Sequence, residues 1–400
     1  MSSAVKLYFF IIIQTYFLGF IVIPSFVAKG LALGTLFITI ATSNYRCKYY
    51  NKILKAVLAF TIINMVWCSV NRAQTPIEYI IGSEFTSMLC ILSLFAIPSF
   101  HLDNEAVERV LEYVGVTIII VYLLEYFLHI PLTMDAGDME EFGESMRLRI
   151  NGQCVIPLLY FKSLTKLTEK ISVKYILLFL FCILCVFILG FRSQIAVLAF
   201  LSVVYFWKNN LLKGKNIFYI LVTLGILLVF IQNNSVIQYK IGEMEERNET
   251  QNFDNEDYVR LRTYEYYTEI LPNNIVDKVV GIGLPNANSQ YGKHIQDLKD
   301  SFIVWADWGV IGLSWVWGIP TVICFILLFI KGFLTPVSRE HSYLCYWCIF
   351  MVGASIMTRE IYRIGAFPIE GVVLYLVAQY RTDEIKLKIS SLWKKKTKEY

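Results

Sequence analysis

The residues best placed to do chemistry in this chain are arginines that interrupt apolar stretches. Between Lys174 and Trp207 the sequence is apolar except for Gly190-Phe191-Arg192-Ser193-Gln194. An ionisable side chain in such a setting is a functional candidate, because removing it from water is costly. Gly190 can close one helix and Ser193 can open the next, which leaves Arg192 at a rim with little loop around it. The plainer alternative is an arginine reaching for lipid headgroups. A second candidate is Thr358-Arg359-Glu360-Ile361-Tyr362-Arg363. In a helix Arg359 and Arg363 share a face and repel unless something anionic sits between them, with Glu360 neutralising part of the charge.

A third group lies in Asp257 to Leu271, DYVRLRTYEYYTEIL. Tyr258, Leu261, Tyr264 (or Glu265), Thr268 and Leu271 recur at helical spacing. Asp254 or Asn255 can cap the helix and Pro272 follows its end, so an amphipathic helix lying on a membrane face is expected. Arg260 and Arg262 point about 200° apart on that helix, so one of them at most faces a central site. Arg260 shares its face with Tyr264 and Tyr267, and Arg262 with Tyr266 and Glu269. The competing reading is a surface ion pair of Arg262 with Glu265 or Glu269. Arg192, Arg260 or Arg262, and Arg359 or Arg363 together would make a cradle for phosphate, which arginine binds through two parallel N–H groups. A diphosphate on a lipid carrier presents that charge at that depth.

The elements that must position these residues are apolar spans. The 400 residues are 56% hydrophobic, 15% aromatic and 17% charged, with mean hydropathy +0.55. Soluble domains carry about 25% charged residues. The composition excludes a water-soluble globule, a disordered chain and a collagen-like rod. A helix crosses the hydrocarbon core in about 20 residues. On that scale spans are expected near 7–24, 28–43, 54–71, 78–98, 108–128, 151–163, 174–190, 193–208, 216–232, 302–330, 342–358 and 364–380, about twelve in all. The first apolar run lacks a small-residue cleavage site, so it reads as a span rather than a leader.

Lys and Arg in short loops set orientation. With the tail from Arg381 onward in the cytoplasm, most of the 36 basic residues fall on the inner side and both ends are cytoplasmic. The net charge of +4 is therefore a matter of topology, and nucleic acid is not an expected partner. Four regions follow: spans one to nine over 1–232, an outer loop over 233–301, spans ten to twelve over 302–380, and a basic tail over 381–400. An outer connection of about 70 residues is too long to be a mere link. A second outer segment, 129–150, is acidic.

Cys182–Cys185 and Cys345–Cys348 have the spacing of metal or redox pairs, but lie in apolar runs with no nearby His, so helix packing is the expectation and no metal or cofactor is implied. Gly281-Ile282-Gly283 follows no clear strand and lacks a third glycine. It reads as a tight turn rather than a dinucleotide motif. Lys293-His294 and Asp300-Ser301 precede the tenth span. Asp300 is a candidate N-cap of that helix, whose positive end would face a polar ligand.

These features resemble the bacterial O-antigen ligase and polysaccharide polymerase superfamily, of Wzy and WaaL type. About twelve spans and a large outer loop between the ninth and tenth match it. Gly190-Phe191-Arg192-Ser193 resembles its Ser-Arg hairpin. Arg260/Arg262 followed by aromatic residues and Gly281-Ile282-Gly283 resembles its Arg–Trp–Pro–Gly-x-Gly stretch. Asp300-Ser301-Phe302 with Gly309-Val310-Ile311-Gly312 resembles its His-Asn/Ser segment and Gly-x-x-Gly helix. In topology the resemblance covers the chain, and in motifs only residues 190–194 and 254–312. It departs at the loop histidine, where Asp300 stands nearest and His294 lies about two turns earlier.

The resemblance implies an all-α fold similar to membrane-embedded GT-C-type transferases, in the bacterial inner membrane. It implies glycan transfer from undecaprenyl diphosphate to another lipid-linked repeat unit at the periplasmic face, without a metal. Arg192 and Arg260 or Arg262 would bind the diphosphate, and Arg359 and Arg363 would assist or bind acidic sugar. Asp300 or His294 would act on the acceptor hydroxyl, and Tyr264, Tyr266 and Tyr267 would stack on sugar rings or simply pack. Its partners would be the lipid-linked oligosaccharide, membrane lipid and a chain-length regulator. A ligase acting on lipid A–core, and a flippase of the same lipid-linked glycan, are the alternatives. A transporter should show repeats and broken helices.

Overall fold

A computed structural model of the protein describes residues 2–43, 47–72, 74–133, 148, 150–209, 242, 259–301 and 303–396. The side chains of Ser83, Asp300 and residues 386–396 fall outside that description, as do the expected span 216–232, most of the acidic segment 129–150, and the residues proposed to cap the loop helix. Among the described residues every regular element is a helix. The chain runs through α1 (Ser3–Gln14), α2 (Ser25–Ala41), α3 (Lys48–Asn71), α4 (Pro76–Ile81) and α5 (Ser83–Leu89), with short helical turns continuing to Phe100. There follow α6 (Asn104–Leu128), α7 (Val155–Glu169), α8 (Val173–Leu189) and α9 (Arg192–Lys208). The loop helices are α10 (Val259–Glu265), α11 (Ile275–Val280) and α12 (Gln290–Asp300). The chain closes with α13 (Gly309–Trp317), α14 (Ile319–Phe333), α15 (Ser342–Ala354) and α16 (Ala366–Lys396).

Two described helices, α3 with 24 residues and α6 with 25, are long and apolar enough to cross a membrane, judged by length and composition. Some of the other apolar runs are cut by turns that composition does not reveal. The run from 7 to 24 stops after Gln14, where Tyr16, Phe17 and Leu18 all take positive φ. That left-handed turn is held from outside, since Asn151 N–H donates to Leu18 O at 3.2 Å and Ile21 N–H to Leu132 O at 3.0 Å. The run from 302 to 330 is divided at Gly318, whose φ is +87°. In the other direction, the basic tail does not begin as a separate region, because α16 continues unbroken through Lys396.

α7 is the inner helix, packed against α6, α8 and α15. Every residue from Val155 to Thr165 is buried, including Lys162. A lysine there requires carboxylates. Lys162 Nζ lies 3.0 Å from Glu112 and 3.8 Å from Glu108, both on α6. Glu108 also accepts from Tyr380 Oη at 2.7 Å and meets His341 Nδ1 at 2.9 Å. One end of the bundle, where the Lys- and Arg-rich connections lie, is thus fastened by a buried charge network.

The loop helices fasten the opposite end. Arg72, just past α3, pairs with Asp277 of α11 at 2.8 Å and donates to Leu271 O at 2.9 Å. Asp277 also accepts from Trp67 Nε1 and Asn273 N–H, both at 2.7 Å. It is 1% exposed, so losing its cation would strand a charge. Arg72→Met is expected to cost about 3–5 kcal/mol, and Arg72→Met with Asp277→Asn to recover most of it. Thermal unfolding of the purified variants measures both. Equal losses in the two would show that the ion pair does not hold the loop.

The glycine pair differs from the expected tight turn. Gly281 and Gly283, with φ of +88° and +95°, belong to an extended segment pressed into the break between α13 and α14. A helix end leaves its last carbonyls without partners. Here Ile282 N–H donates to Trp315 O at 2.8 Å and Gly283 N–H to Val316 O at 3.0 Å. Asn64 Nδ2 donates to Val280 O at 2.7 Å and Val316 O at 2.9 Å. The interruption is closed by the protein's own donors.

Candidate functional site: an arginine cluster at the loop end

The hairpin between α8 and α9 turns at Gly190 in the left-handed conformation, as expected. The next helix starts one residue sooner than expected, with Phe191 at the N-cap and Arg192 in its first turn. Arg192 is half-buried. Two residues on, the buried Gln194 donates from Nε2 to Glu360 Oε1 at 2.7 Å. Glu360 Oε1 also takes Arg363 Nη2 at 2.6 Å. The Arg363 guanidinium lies 5.3 Å from the centre of the Phe191 ring. The hairpin and the 359–363 segment are therefore one assembly, joined through Gln194, Glu360 and Phe191.

Arg359 and Arg363 do not form the helical pair that their spacing suggests. Residues 360–362 make a single tight turn, and the two arginines flank it with non-helical backbone. The tight turn sends them to different partners. Arg359 lies 4.0 Å from Glu84 of α5, a carboxylate that also interacts with Lys29 of α2. Arg363 turns inward, to Glu360.

Arg363 is 7% exposed, and its Nε and Nη1 have no hydrogen-bond partner among the described residues. Burial pushes the guanidinium pKa down, Glu360 pulls it back up, and Arg359 adds repulsion. A buried N–H without an acceptor is rare and costs about 1–3 kcal/mol, more for a charged group. Two other buried polar side chains lack hydrogen-bond partners among the described residues: the Tyr122 hydroxyl and the Gln153 amide. Arg363 is near enough to act electrostatically on Tyr122 and on Cys154, the neighbour of Gln153. Glu370 of α16, also without a hydrogen-bond partner among the described residues, acts on the same cysteine. Sequence reasoning passed over Tyr122, Gln153, Glu84 and Glu370. The available signal was a polar residue inside an apolar run.

The loop reaches this cluster through backbone contacts. Tyr362 donates its hydroxyl to Gly309 O at 3.1 Å, and Val310 N–H donates to Ser355 O at 2.8 Å. Trp308 Nε1 donates to Arg260 O at 3.0 Å. Arg260 is half-buried and Arg262 is exposed. Neither makes an ion pair among the described residues, so the expected surface pair of Arg262 with Glu265 or Glu269 does not form. The helix itself is as expected, with α10 continuing as a wide turn to Ile270. Tyr264 is 45% exposed beside Trp308, while Tyr267 is buried and stacked on Trp315 at 5.3 Å.

His294 is exposed on α12 and shares a 2.8 Å hydrogen bond with Tyr266. Burial pushes the Tyr266 phenol pKa up, with Arg72 pulling it down. That neutral hydroxyl and the imidazole make a pair on the loop surface, apart from the carboxylate partners of Arg359 and Arg363, which are Glu84 and Glu360. Asp300 is the last residue of α12, not the N-cap of the helix that follows, which begins only at Gly309. Among the described residues no three His, Cys, Asp or Glu side chains gather as metal ligands. The arrangement offers anion binding by arginine at a rim where the hairpin, the 359–363 turn and the loop meet. Comparison with protein-family models and with curated proteins finds no match for this chain.

Proposed function

We propose that the protein is a polytopic membrane glycosyltransferase of the surface-polysaccharide polymerase type, with a GT-C-like arrangement of about twelve spans. Both ends lie in the cytoplasm and the loop end faces outward. The observation that carries this reading is the buried Arg363, with two N–H groups unpartnered among the described residues, set against the hairpin that bears Arg192. A lipid-linked diphosphate supplies the anion such a site lacks. The membrane setting is supported by apolar side chains left exposed on the helices, including Phe26, Ile38, Val70 and Phe200, at 77%, 68%, 74% and 65% exposure. Soluble monomers do not leave so much apolar surface uncovered.

In the reaction the acceptor hydroxyl oxygen forms a bond to the anomeric carbon of the donor. The bond from that carbon to the diphosphate oxygen breaks, and its electron pair leaves with the lipid diphosphate. The hydroxyl proton passes to Asp300 or His294. Arg192 and Arg363 hold the leaving group and stabilise the charge it gains, with Arg359 and Arg260 or Arg262 at the rim. Tyr264 is the exposed aromatic face for a sugar ring.

A flippase of the same lipid-linked glycan is the second reading, favoured by the broken helix at Gly318. Asn64 and the loop amides occupy the Trp315 and Val316 carbonyls at that break, which takes those groups away from a cargo. The test supplies purified protein with undecaprenyl-diphosphate repeat units and follows chain length on a gel. A ladder of lipid-linked glycan supports polymerisation. One-step transfer to added lipid A–core would mean a ligase, and passage of the lipid across a liposome without transfer would mean a flippase. Arg192→Lys is expected to impair the ladder, because an ammonium cannot reproduce the guanidinium fork. Near-normal polymer from Arg192→Ala would sink the cradle.

A further inference from the structure

The end of the bundle opposite the arginine cluster holds a cavity of about 600 Å³. It lies between the start of α3, the end of α14 and the middle of α16. Its lining includes Lys48, Lys52, Lys331 and Arg381 and no acidic side chain. Several buried or half-buried cations elsewhere are matched by carboxylates. Lys162 lies between Glu108 and Glu112, Arg72 on Asp277, and Arg363 on Glu360. The four cavity cations meet no carboxylate among the described residues. The nearest acidic position in sequence, Asp383, takes a hydrogen bond from Asn104 at 3.4 Å.

Two of the four are held in place despite their mutual repulsion. Lys331 Nζ donates to Tyr49 O and lies 4.1 Å from the centre of the Tyr49 ring. The Arg381 guanidinium lies 4.5 Å from the same ring. Lys331 is repelled by both Arg381 and Lys52. Tyr49 is itself fixed by a 2.9 Å hydrogen bond with Thr335. An aromatic ring between two cations stabilises each by about 0.5–2 kcal/mol and leaves their charge uncancelled.

We propose that this cavity is a binding site for a phosphate-bearing group, held by Lys48, Lys52, Lys331 and Arg381. Its volume is that of a small-molecule site. Two sources carry this chemistry at that end: the headgroup of an anionic phospholipid, as basic pockets between membrane helices bind, and a soluble phosphate compound. The lipid source rests on the membrane reading above. Neither source depends on glycan transfer.

The test follows thermal unfolding of the full chain in phosphatidylcholine nanodiscs. One arm adds inorganic pyrophosphate; the other mixes phosphatidylglycerol into the disc. Wild type is compared with Lys52→Gln/Lys331→Gln and with Lys52→Gln alone, a change at an exposed side chain. In at least one arm the wild-type midpoint is expected to rise. In the double variant the ligand concentration needed for that rise should increase about tenfold or more, since a charged hydrogen bond contributes about 1.5–3 kcal/mol. Lys52→Gln alone should show a smaller increase. A response lost in the pyrophosphate arm identifies a soluble ligand, and one lost in the lipid arm a headgroup. Absence of any rise in wild type overturns the proposal, as does a rise of equal size in all three proteins. Pyrophosphate bound at Arg192 and Arg363 would register as the equal rise. Polymer synthesis by wild type, measured separately, distinguishes failure of this site from failure of the glycosyltransferase reading.

Discussion

Arg363→Lys is expected to lower glycan transfer by about 10²–10³-fold while leaving the fold intact. The geometry separates the two roles of this arginine. One edge of its guanidinium binds Glu360 at 2.6 Å, and that contact is structural. Its Nε and Nη1 have no hydrogen-bond partner among the described residues, and those are the groups offered to a ligand. A lysine can keep the ion pair with Glu360 but cannot present two parallel donors beside it. Arg363→Leu is different, because Glu360 is 2% exposed and would be left as a buried, unpaired charge. That variant should lose about 3–5 kcal/mol of stability. Adding Glu360→Gln should restore most of the stability and none of the activity. Gel ladders and thermal unfolding of the same preparations measure both quantities. Wild-type activity in the Arg363→Lys variant would confine Arg363 to a structural role and remove the observation on which the function rests.

Gly281→Ala should undock the outer loop. Gly281 has φ of +88°, a conformation that costs a residue with a Cβ about 1–2 kcal/mol. The added Cβ would also lie 2.4 Å from Gly318 N and 2.8 Å from Val316 O. These are backbone atoms and cannot rotate away, so overpacking adds about 1–3 kcal/mol. The displaced segment would take with it the Ile282 and Gly283 amides that satisfy the Trp315 and Val316 carbonyls. The sum is a loss of about 2–5 kcal/mol, with the 271–300 loop becoming sensitive to protease. Gly30 of α2 is the control, since a Cβ there meets nothing within 4 Å. Gly30→Ala should hold or raise the unfolding midpoint through helix propensity. If Gly281→Ala unfolds and is cut like wild type, the loop is not fastened at the broken helix.

Much of the local structure was legible from residue type and spacing. The helices α8, α9, α15 and the start of α16 fall within a few residues of the apolar runs, because a run of that length with helix-forming residues has one way to satisfy its backbone. Gly190 ends α8 as expected, since glycine takes a left-handed cap without strain. The loop helix at 259–270 follows from its period. The turns at Tyr16–Leu18 and at Gly318 were not legible. Both depend on donors contributed from elsewhere, Asn151 in one case and Asn64 with the 281–283 segment in the other.

The same division holds at the candidate site. Sequence alone singled out Arg192, and Arg359 or Arg363, as charges between apolar runs, where burying an ion is costly, and Arg260 or Arg262 on an amphipathic loop helix. It could not distinguish Arg363, inward and with open donors, from Arg359, at the rim beside Glu84. It could not link Gln194 to Glu360 across 166 positions, or bring Lys52, Lys331 and Arg381 to one cavity. Composition and period decided which stretches are helical and apolar, since these follow from local backbone hydrogen bonding and transfer from water. Which buried charge is paired and which is left open depends on side chains far apart in the sequence, and only tertiary packing brings those together.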